Sequence, residues 1–155
     1  MYIIHKRHQK INKPSKPLKY VVCFLFSYDL TKCLMIHKIK GPFPNTLNGI
    51  GGKIEKFDPS IKSAAYREIK EETGLTKSDI ISLNPLVKEV FPDKIELNAF
   101  YGRLKKTSKP IQMEEEKIQW YLVTELLDKN HNMAGINTPY FIEHSLYKLY
   151  LERDI

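Results

Sequence analysis

The sequence predicts one α/β domain with a mixed β-sheet between helices, over residues 20–155, preceded by a basic leader over residues 1–19. Segments rich in β-branched and aromatic residues alternate with polar turns, whereas two other segments have helix-cap residues at their ends. Strands flanking one central helix, with another helix at the end, are typical of a layered α/β domain. At 155 residues, with 42% hydrophobic residues, the chain can bury a substantial core in one unit.

The first predicted elements form a hairpin. Residues 20–26, YVVCFLF, are a β-rich apolar run, which predicts a buried strand. Residues 27–32 supply a polar turn, and residues 33–37 form the returning strand. Residues 38–44 are a basic loop interrupted by prolines, which favours ligand binding over packing.

The central helix is expected between Asp58 and Gly74. Asp58 followed by Pro59 is typical of an N-cap and a first helical residue, and Gly74 is the usual C-terminal stop. Its sheet-facing side consists of Ala64, Ala65 and Ile69.

The later elements complete the layers. Residues 80–91 and 94–104 are expected to pair as long strands around Pro92-Asp93, and residues 119–123 form another strand. Thr138-Pro139 begins a closing helix that runs through Glu152. The side chains expected to bury its inner side are Tyr140, Phe141, Leu146, Tyr147, Leu149 and Tyr150.

The net charge of +7 belongs to the leader. Six of the 25 basic residues and none of the 18 acidic residues precede residue 20, so the domain is nearly neutral. Such a tail can contact RNA electrostatically, although a short basic tail is more often simply solvated.

Two cysteines, Cys23 and Cys33, lie inside apolar runs, where buried free thiols and a reducing compartment are expected. The longest apolar run is too short to span a membrane, and the N-terminus lacks the apolar stretch of a secretory signal. A cytoplasmic protein is therefore expected. For its assembly, both a monomer and a homodimer are compatible with the sequence.

The central helix carries an acidic cluster. Glu68, Glu71 and Glu72 lie on one helical face, where like charges repel. Three carboxylates on one rigid element suit a hard divalent cation such as Mg²⁺, and a solvated acidic face is the alternative. Gly51 and Gly52, ahead of the helix, let the backbone approach a ligand closely.

The stretch from Gly51 to Leu75 resembles the Nudix box, GX5EX7REUXEEXGU, in which U is aliphatic. Residues 67–75, REIKEETGL, match its second half throughout. In the first half, Asp58 stands where the pattern has Glu, and eight residues rather than seven precede Arg67. We interpret the additional residue as an insertion in the loop or first turn, away from the carboxylates. For Asp58, only the capping role is predicted.

The resemblance implies an α/β/α sandwich and a Mg²⁺-dependent pyrophosphohydrolase, in which Mn²⁺ can replace Mg²⁺. The implied metal ligands are Glu68, Glu71, Glu72 and the Gly51 carbonyl. Arg67 would hold the carboxylates, and Lys53 would lie near the phosphates or brace the loop. A further carboxylate, as ligand or water-activating base, is expected from residues 114–116. Glu114 matches best by its distance from Trp120, with an acidic surface turn as the alternative.

The run from Leu34 to Lys53 is similar to that of MutT-type enzymes that hydrolyse purine nucleoside triphosphates. Lys38 and Asn48 stand where those enzymes have a substrate lysine and a base-reading asparagine, and Leu47 replaces their tryptophan. Asn48 can alternatively satisfy backbone groups in a glycine-rich turn. Asn137 is expected either to contact the base or to cap the last helix.

These residues predict hydrolysis of a nucleoside triphosphate, with purines and possible oxidised purines favoured, to monophosphate and pyrophosphate. ADP-ribose, dinucleoside polyphosphates and capped RNA are rival substrates. A nucleotide- or RNA-binding module without catalysis is the alternative class, but such a module would not need all three carboxylates and the arginine.

Overall fold

The computed structural model describes residues 18–41, 43–128, 131–135 and 137–153. Residues 1–17 of the predicted basic leader lie outside these ranges. Lys19, its last residue, begins the first strand. The strands are β1 (Lys19–Phe26), β2 (Lys32–Lys38), β3 (Thr46–Asn48), β4 (Ile50–Lys53), β5 (Ile80–Val90), β6 (Glu96–Leu104) and β7 (Ile118–Leu122). The α-helices are α1 (Ile61–Thr73), α2 (Val123–Leu127) and α3 (Thr138–Arg153), and a short 3-10 helix covers Lys77–Asp79.

The seven strands form one mixed sheet. Its main order is β3-β2-β1-β6-β5, with β4 paired to β1 and β7 paired to β2. β1 runs parallel to β6 along its whole length, and the other pairs are antiparallel. On its other edge, β1 pairs first with β4 and then, at its last two residues, with β2. β4 therefore ends beside β1 and leads directly into the loop before α1.

Helices cover both faces of this sheet, so the expected α/β/α sandwich is confirmed. Alternate residues of β1 point to opposite faces, as strand geometry requires. On one face Val21 and Cys23 pack with α1 through Ala65 and Ile69. The opposite face packs against α2 and α3, chiefly through Val22, Phe24, Phe26, Leu126, Phe141, Ile142 and Leu149. The two free cysteines, Cys23 and Cys33, are buried in these layers, as expected.

The start of α1 differs from the expectation. The helix begins at Ile61, and Ser60 rather than Asp58 is its N-cap, because the Ser63 amide donates to Ser60 Oγ at 3.0 Å. Asp58 belongs to the preceding loop. The predicted stop is confirmed, since Gly74 has the left-handed φ of 75° and donates to the Lys70 carbonyl.

Fewer side chains of α3 are buried than the sequence predicts. Phe141 and Leu149 are buried and Leu146 is partly buried, but the three tyrosines are exposed, Tyr140 by 65% and Tyr147 by 61%. The buried positions 141, 142, 145 and 149 form one stripe of the helix, and the tyrosines lie outside it. The prediction that Tyr140, Tyr147 and Tyr150 are buried was therefore wrong. No helix in the described ranges is long and apolar enough to cross a membrane.

Candidate active site

The glycine pair of β4 packs tightly between β1 and α1. A Cβ atom on Gly51 would lie 2.0 Å from the Val21 carbonyl oxygen, and one on Gly52 would lie 2.5 Å from Glu68 Oε2. Both distances are far below van der Waals contact. The pair is therefore required for the close approach of strand and helix, which brings the backbone directly against the Glu68 carboxylate.

Glu72 is the most buried carboxylate of the acidic cluster. Its residue is 6% exposed, and its Oε1 accepts a hydrogen bond from the Gly51 amide at 3.1 Å. Burial, with a further contribution from the negative charge of Glu68, raises the pKa of Glu72 to about 8. Burial also raises the pKa of Glu68. Both shifts mean that burial disfavours the charged forms of these two carboxyl groups.

Arg67 braces this cluster. Its Nη1 donates to Glu68 Oε2 at 3.1 Å and to both oxygens of Glu71 at 3.2 Å. Its Nη2 donates to the Lys53 carbonyl at 3.1 Å. One guanidinium thus connects the end of β4 with two carboxylates on α1.

Asp58 holds the other edge of the same guanidinium. Its two oxygens accept from Arg67 Nε and Nη2, each at 2.8 Å, and its side chain is only 3% exposed. The hydrogen bond with Arg67 keeps the pKa of Asp58 below its usual value. Asp58 therefore orients Arg67 and does not cap the helix, which corrects the sequence-based interpretation.

The loop of residues 54–60 explains how Asp58 reaches Arg67 despite the additional residue. The Asp58 amide donates to the Glu55 carbonyl at 3.1 Å, and the Glu55 amide donates to Asp58 Oδ2 at 2.8 Å. This reciprocal turn directs the Asp58 carboxylate back towards α1. The turn lies before the start of α1 at Ile61, in the loop where the additional residue is expected.

The carboxylates of α1 fit a divalent cation chemically. They are hard oxygen donors, and Glu68 and Glu72 repel each other in a partly desolvated site, so a cation would supply the missing countercharge. In the described part of the chain, no three His, Cys, Asp or Glu side chains are already gathered as a metal cage. Glu71 is half-exposed and directed to Arg67, while Glu72 is directed to the Gly51 amide.

Among the three glutamates before β7, Glu116 is committed to another role. Its Oε1 accepts from Lys38 Nζ at 2.9 Å, and its Oε2 accepts from the Ile39 and Lys40 amides at 2.5 and 3.0 Å. Burial alone would raise the pKa of Glu116, but the Lys38 and amide hydrogen bonds outweigh it, and the pKa is lowered. Glu116 therefore fixes the end of β2 and the start of the basic loop.

Glu114 is the glutamate of this group that acts on the acidic cluster. Its charge contributes to the raised pKa of both Glu68 and Glu72. The segment that carries it is tied to the end of α1, because the Ile111 amide donates to the Thr73 carbonyl at 2.9 Å. Glu115 instead makes an exposed ion pair with Lys40.

Lys38 and Asn48 share the α1 face of the sheet. Asn48 pairs with Ile36, a residue of the α1-side core, and Lys38 lies two residues further along the same strand. The positive charge of Lys38 lowers the pKa of Glu72, opposing the effect of burial. Asn48 Oδ1 accepts from the next amide, Gly49, at 2.8 Å, which is the turn-satisfying arrangement, and its amide nitrogen is not part of that contact.

The other two expected substrate residues lie elsewhere. The Lys53 side chain is exposed at the end of β4, while its carbonyl accepts from Arg67. Asn137 precedes α3, on the sheet face opposite α1. Its side-chain nitrogen, Nδ2, donates to Glu89 Oε2 at 3.0 Å. Asn137 therefore does not join Lys38 and Asn48 in one cluster.

The sequence did not predict the roles of two site residues, Asp58 and Glu116. Asp58 was visible as a departure from the Nudix pattern, but its partner was not. The signal for Glu116 lies in strand register, since β7 pairs Ile118 with Ile36 and thereby brings Glu116 opposite Lys38. That register is not readable until β2 and β7 are known to be neighbours.

Fold and site together define an α/β/α domain in which a glycine-rich strand is packed on a helix of arginine-braced carboxylates. The family model described as the NUDIX domain matches residues 16–141. The chain therefore belongs to the Nudix family, as its box suggested, and is a Nudix-type pyrophosphohydrolase. None of the curated proteins matches the sequence.

Solved structures with the same fold have low sequence identity to this chain. The NUDIX domain of Shewanella oneidensis NrtR, complexed with ADP ribose, has a TM-score of 0.71 at 18% identity, covering 94% of this chain and 97% of that one. A NUDIX family hydrolase from Clostridium perfringens has a TM-score of 0.64 at 22% identity, covering 90% and 99%. A structure of MutT, described for the proteins of Aliivibrio salmonicida and Vibrio cholerae, has a TM-score of 0.65 at 18% identity. The match covers 84% of this chain and 96% of that one. At these identities the likeness shows the fold.

Proposed function

We propose that this protein is a Mg²⁺-dependent hydrolase that converts a nucleoside triphosphate to nucleoside monophosphate and pyrophosphate. One observation carries the proposal: a buried carboxylate, Glu72, and a partly buried one, Glu68, lie against a bare glycine strand, and Arg67 donates to Glu68. Burying like charges together is costly unless a cation neutralises them. A binding module without catalysis would not need all three carboxylates and the arginine that orients them.

In this proposal, Glu68, Glu71, Glu72 and the Gly51 carbonyl hold Mg²⁺ or Mn²⁺. The metal supplies charge neutralisation for the phosphates and lowers the pKa of an attacking water. Arg67 keeps the carboxylates oriented through its bonds to Glu68 and Glu71.

Glu114 is the proposed water-activating base. It is exposed, so its carboxylate is accessible to water, and its charge reaches Glu68 and Glu72. A general base must lie within hydrogen-bond reach of the proton it removes, and the tether between Ile111 and Thr73 holds the segment beside α1.

The proposed substrate is a purine nucleoside triphosphate, in ordinary or oxidised form. Lys38 would meet the phosphates and Asn48 the purine edge, since both lie on the α1 face of the sheet. An amide offers both donors and an acceptor to a base edge. Lys53 would add charge near the phosphates, whereas Asn137, which donates to Glu89 on the opposite sheet face, has no part in this proposal.

ADP-ribose is the second candidate substrate. The structural neighbour NrtR is complexed with ADP ribose, and its fold superposes on most of this chain. Both candidates contain the same pyrophosphate, so the acidic cluster does not discriminate between them.

Replacement of Glu72 by Gln tests the hydrolase proposal. The change keeps the size of the side chain and the acceptor for the Gly51 amide but removes the charge. We expect kcat to fall at least about 100-fold, because a lost electrostatic element at a reacting centre costs roughly 2.7–4 kcal/mol. Pyrophosphate release is measured over a Mg²⁺ titration, with Lys62→Gln on the same helix as control. Near-wild-type turnover of Glu72→Gln at saturating Mg²⁺ would refute the proposal.

Replacement of Asn48 by Ala tests the substrate class. An unpaired polar group on a bound base costs roughly 1–3 kcal/mol, so KM for the preferred purine triphosphate should rise about 5- to 150-fold. Steady-state kinetics are compared on dGTP, 8-oxo-dGTP, dATP, dCTP and ADP-ribose. An equal loss on every substrate would mean that Asn48 only shapes the turn at Gly49.

A further inference from the structure

A second polar surface lies beside the box, on the flank of α1. A shallow cleft of about 450 Å³ is lined by Tyr66, Arg67, Lys70, Thr76, Lys77 and Ser78. One wall is the helix, and the other is the segment that turns back after Gly74. The cleft therefore belongs to the same two elements as the acidic cluster but opens on a different side of the helix.

The cleft is positively charged. Lys70 and Lys77 are exposed, and neither makes an ion pair with a carboxylate within the described residues. Lys77 Nζ lies 5.0 Å from the centroid of the Tyr66 ring, which holds this ammonium group over the cleft wall. The hydroxyl groups of Thr76 and Ser78 lie at the same rim, where they hydrogen-bond each other at 2.8 Å and Thr76 Oγ1 donates to Asp79 Oδ2 at 3.3 Å.

Arg67 connects the cleft with the acidic cluster. Arg67, whose guanidinium donates to Glu68 and Glu71, is also one of the residues that line the cleft. Lys70 is one turn further along the helix, about 4.5 Å in axial distance from Arg67. A group in the cleft is therefore close enough to belong to the same molecule as a phosphate bound at the carboxylates.

We propose that this cleft binds a phosphate group on the leaving side of the cleaved anhydride. Two exposed ammonium groups, without a carboxylate ion pair in the described part of the chain, are the chemistry that recognises a phosphate, and the cleft lies beside the proposed metal site. The terminal phosphate of a nucleoside triphosphate and the far half of a dinucleoside polyphosphate both supply such a phosphate group. The proposal rests on the proposed hydrolase function and adds to it a selection for longer phosphate chains.

Kinetics on substrates of different chain length test this selection. The cleft variant is Lys70→Gln with Lys77→Gln, and the control is Lys62→Gln with Lys106→Gln, two exposed lysines outside the cleft with the same total charge change. The substrates are GDP, GTP and a dinucleoside tetraphosphate. In the cleft variant, kcat/KM should fall about 5- to 10-fold for GTP and the tetraphosphate, through KM, and less than twofold for GDP. The control should leave all three within twofold.

A fall of equal size on GDP, or the same pattern in the control variant, would overturn the proposal. The loss on GTP relative to the loss on the tetraphosphate identifies which source of the phosphate the cleft uses. Thermal unfolding of the two double variants should agree within about 2 °C, because all four lysines are exposed.

A binding measurement separates the cleft from catalysis. Inorganic tripolyphosphate is titrated calorimetrically into the full chain with EDTA present. The cleft variant should bind about 5- to 10-fold more weakly than wild type, and the difference should shrink with added salt. Equal affinities of wild type and cleft variant for tripolyphosphate would refute phosphate binding in the cleft, even if hydrolysis is confirmed. If no nucleotide is hydrolysed, this titration still decides the cleft while the proposed function fails.

Discussion

The substitution Asp58→Asn tests whether the contact between Asp58 and Arg67 stabilises the fold around the Nudix box. The substitution keeps the shape of the side chain but removes the charge that accepts from Arg67 Nε and Nη2 at 2.8 Å. Charge-assisted hydrogen bonds are worth about 1.5–3 kcal/mol, and Asn keeps one acceptor oxygen. We expect the free energy of unfolding at pH 7 to fall by about 1.5–3 kcal/mol and Tm by about 3–12 °C.

The loss of unfolding free energy in Asp58→Asn should become smaller as the pH falls. The pKa of Asp58 is lowered in the folded state, so its stabilisation is complete above the unfolded pKa of about 3.9. That stabilisation is lost as the pH falls through the folded pKa, because the carboxyl is then protonated in both states. The gap in unfolding free energy between wild type and Asp58→Asn should therefore narrow between pH 7 and pH 3.

Urea unfolding at pH 7, 5, 4 and 3 measures this gap. Asp128→Asn is the matched control, since Asp128 is exposed after α2 and its variant should stay within about 0.5 kcal/mol of wild type. Equal stability of Asp58→Asn and wild type at pH 7 would refute the bracing role. A gap that persists unchanged to pH 3 would show that the loss comes from something other than the charge.

Two further predictions concern neighbouring parts of the fold. Glu114→Gln should lower kcat about 100-fold or more, as expected for a lost general base, whereas Glu115→Gln should retain wild-type turnover in the same pyrophosphate assay. Similar activities of these two variants would remove Glu114 from the mechanism. Phe141→Ala should cost about 3–5 kcal/mol in urea unfolding because Phe141 is buried, whereas Tyr147→Ala should change stability by less than about 0.5 kcal/mol. A large loss for Tyr147→Ala would mean that the outer side of α3 is covered in solution.

The amino-acid sequence by itself determined the long strands, the two long helices and the composition of the box, whereas the short elements β3, β4 and α2 were not predicted. The paired strands on either side of Pro92-Asp93 and the stop at Gly74 were predicted correctly, because alternation and turn chemistry are local properties of the chain. The acidic cluster was also local, since helical spacing alone places Glu68 and Glu72 on one face.

Tertiary structure alone decided which partner each polar group finds. The departure at Asp58 was readable from the sequence, but only the reciprocal turn with Glu55 directs its carboxylate to Arg67 instead of the helix end. Likewise, only the pairing of β7 with β2 assigns Glu116 to Lys38 and leaves Glu114 beside the acidic cluster. Such contacts join residues far apart in the chain, and no local periodicity encodes them. The tyrosines of α3 give the same result for burial, because an apolar residue is buried only when another element packs on its side of the helix.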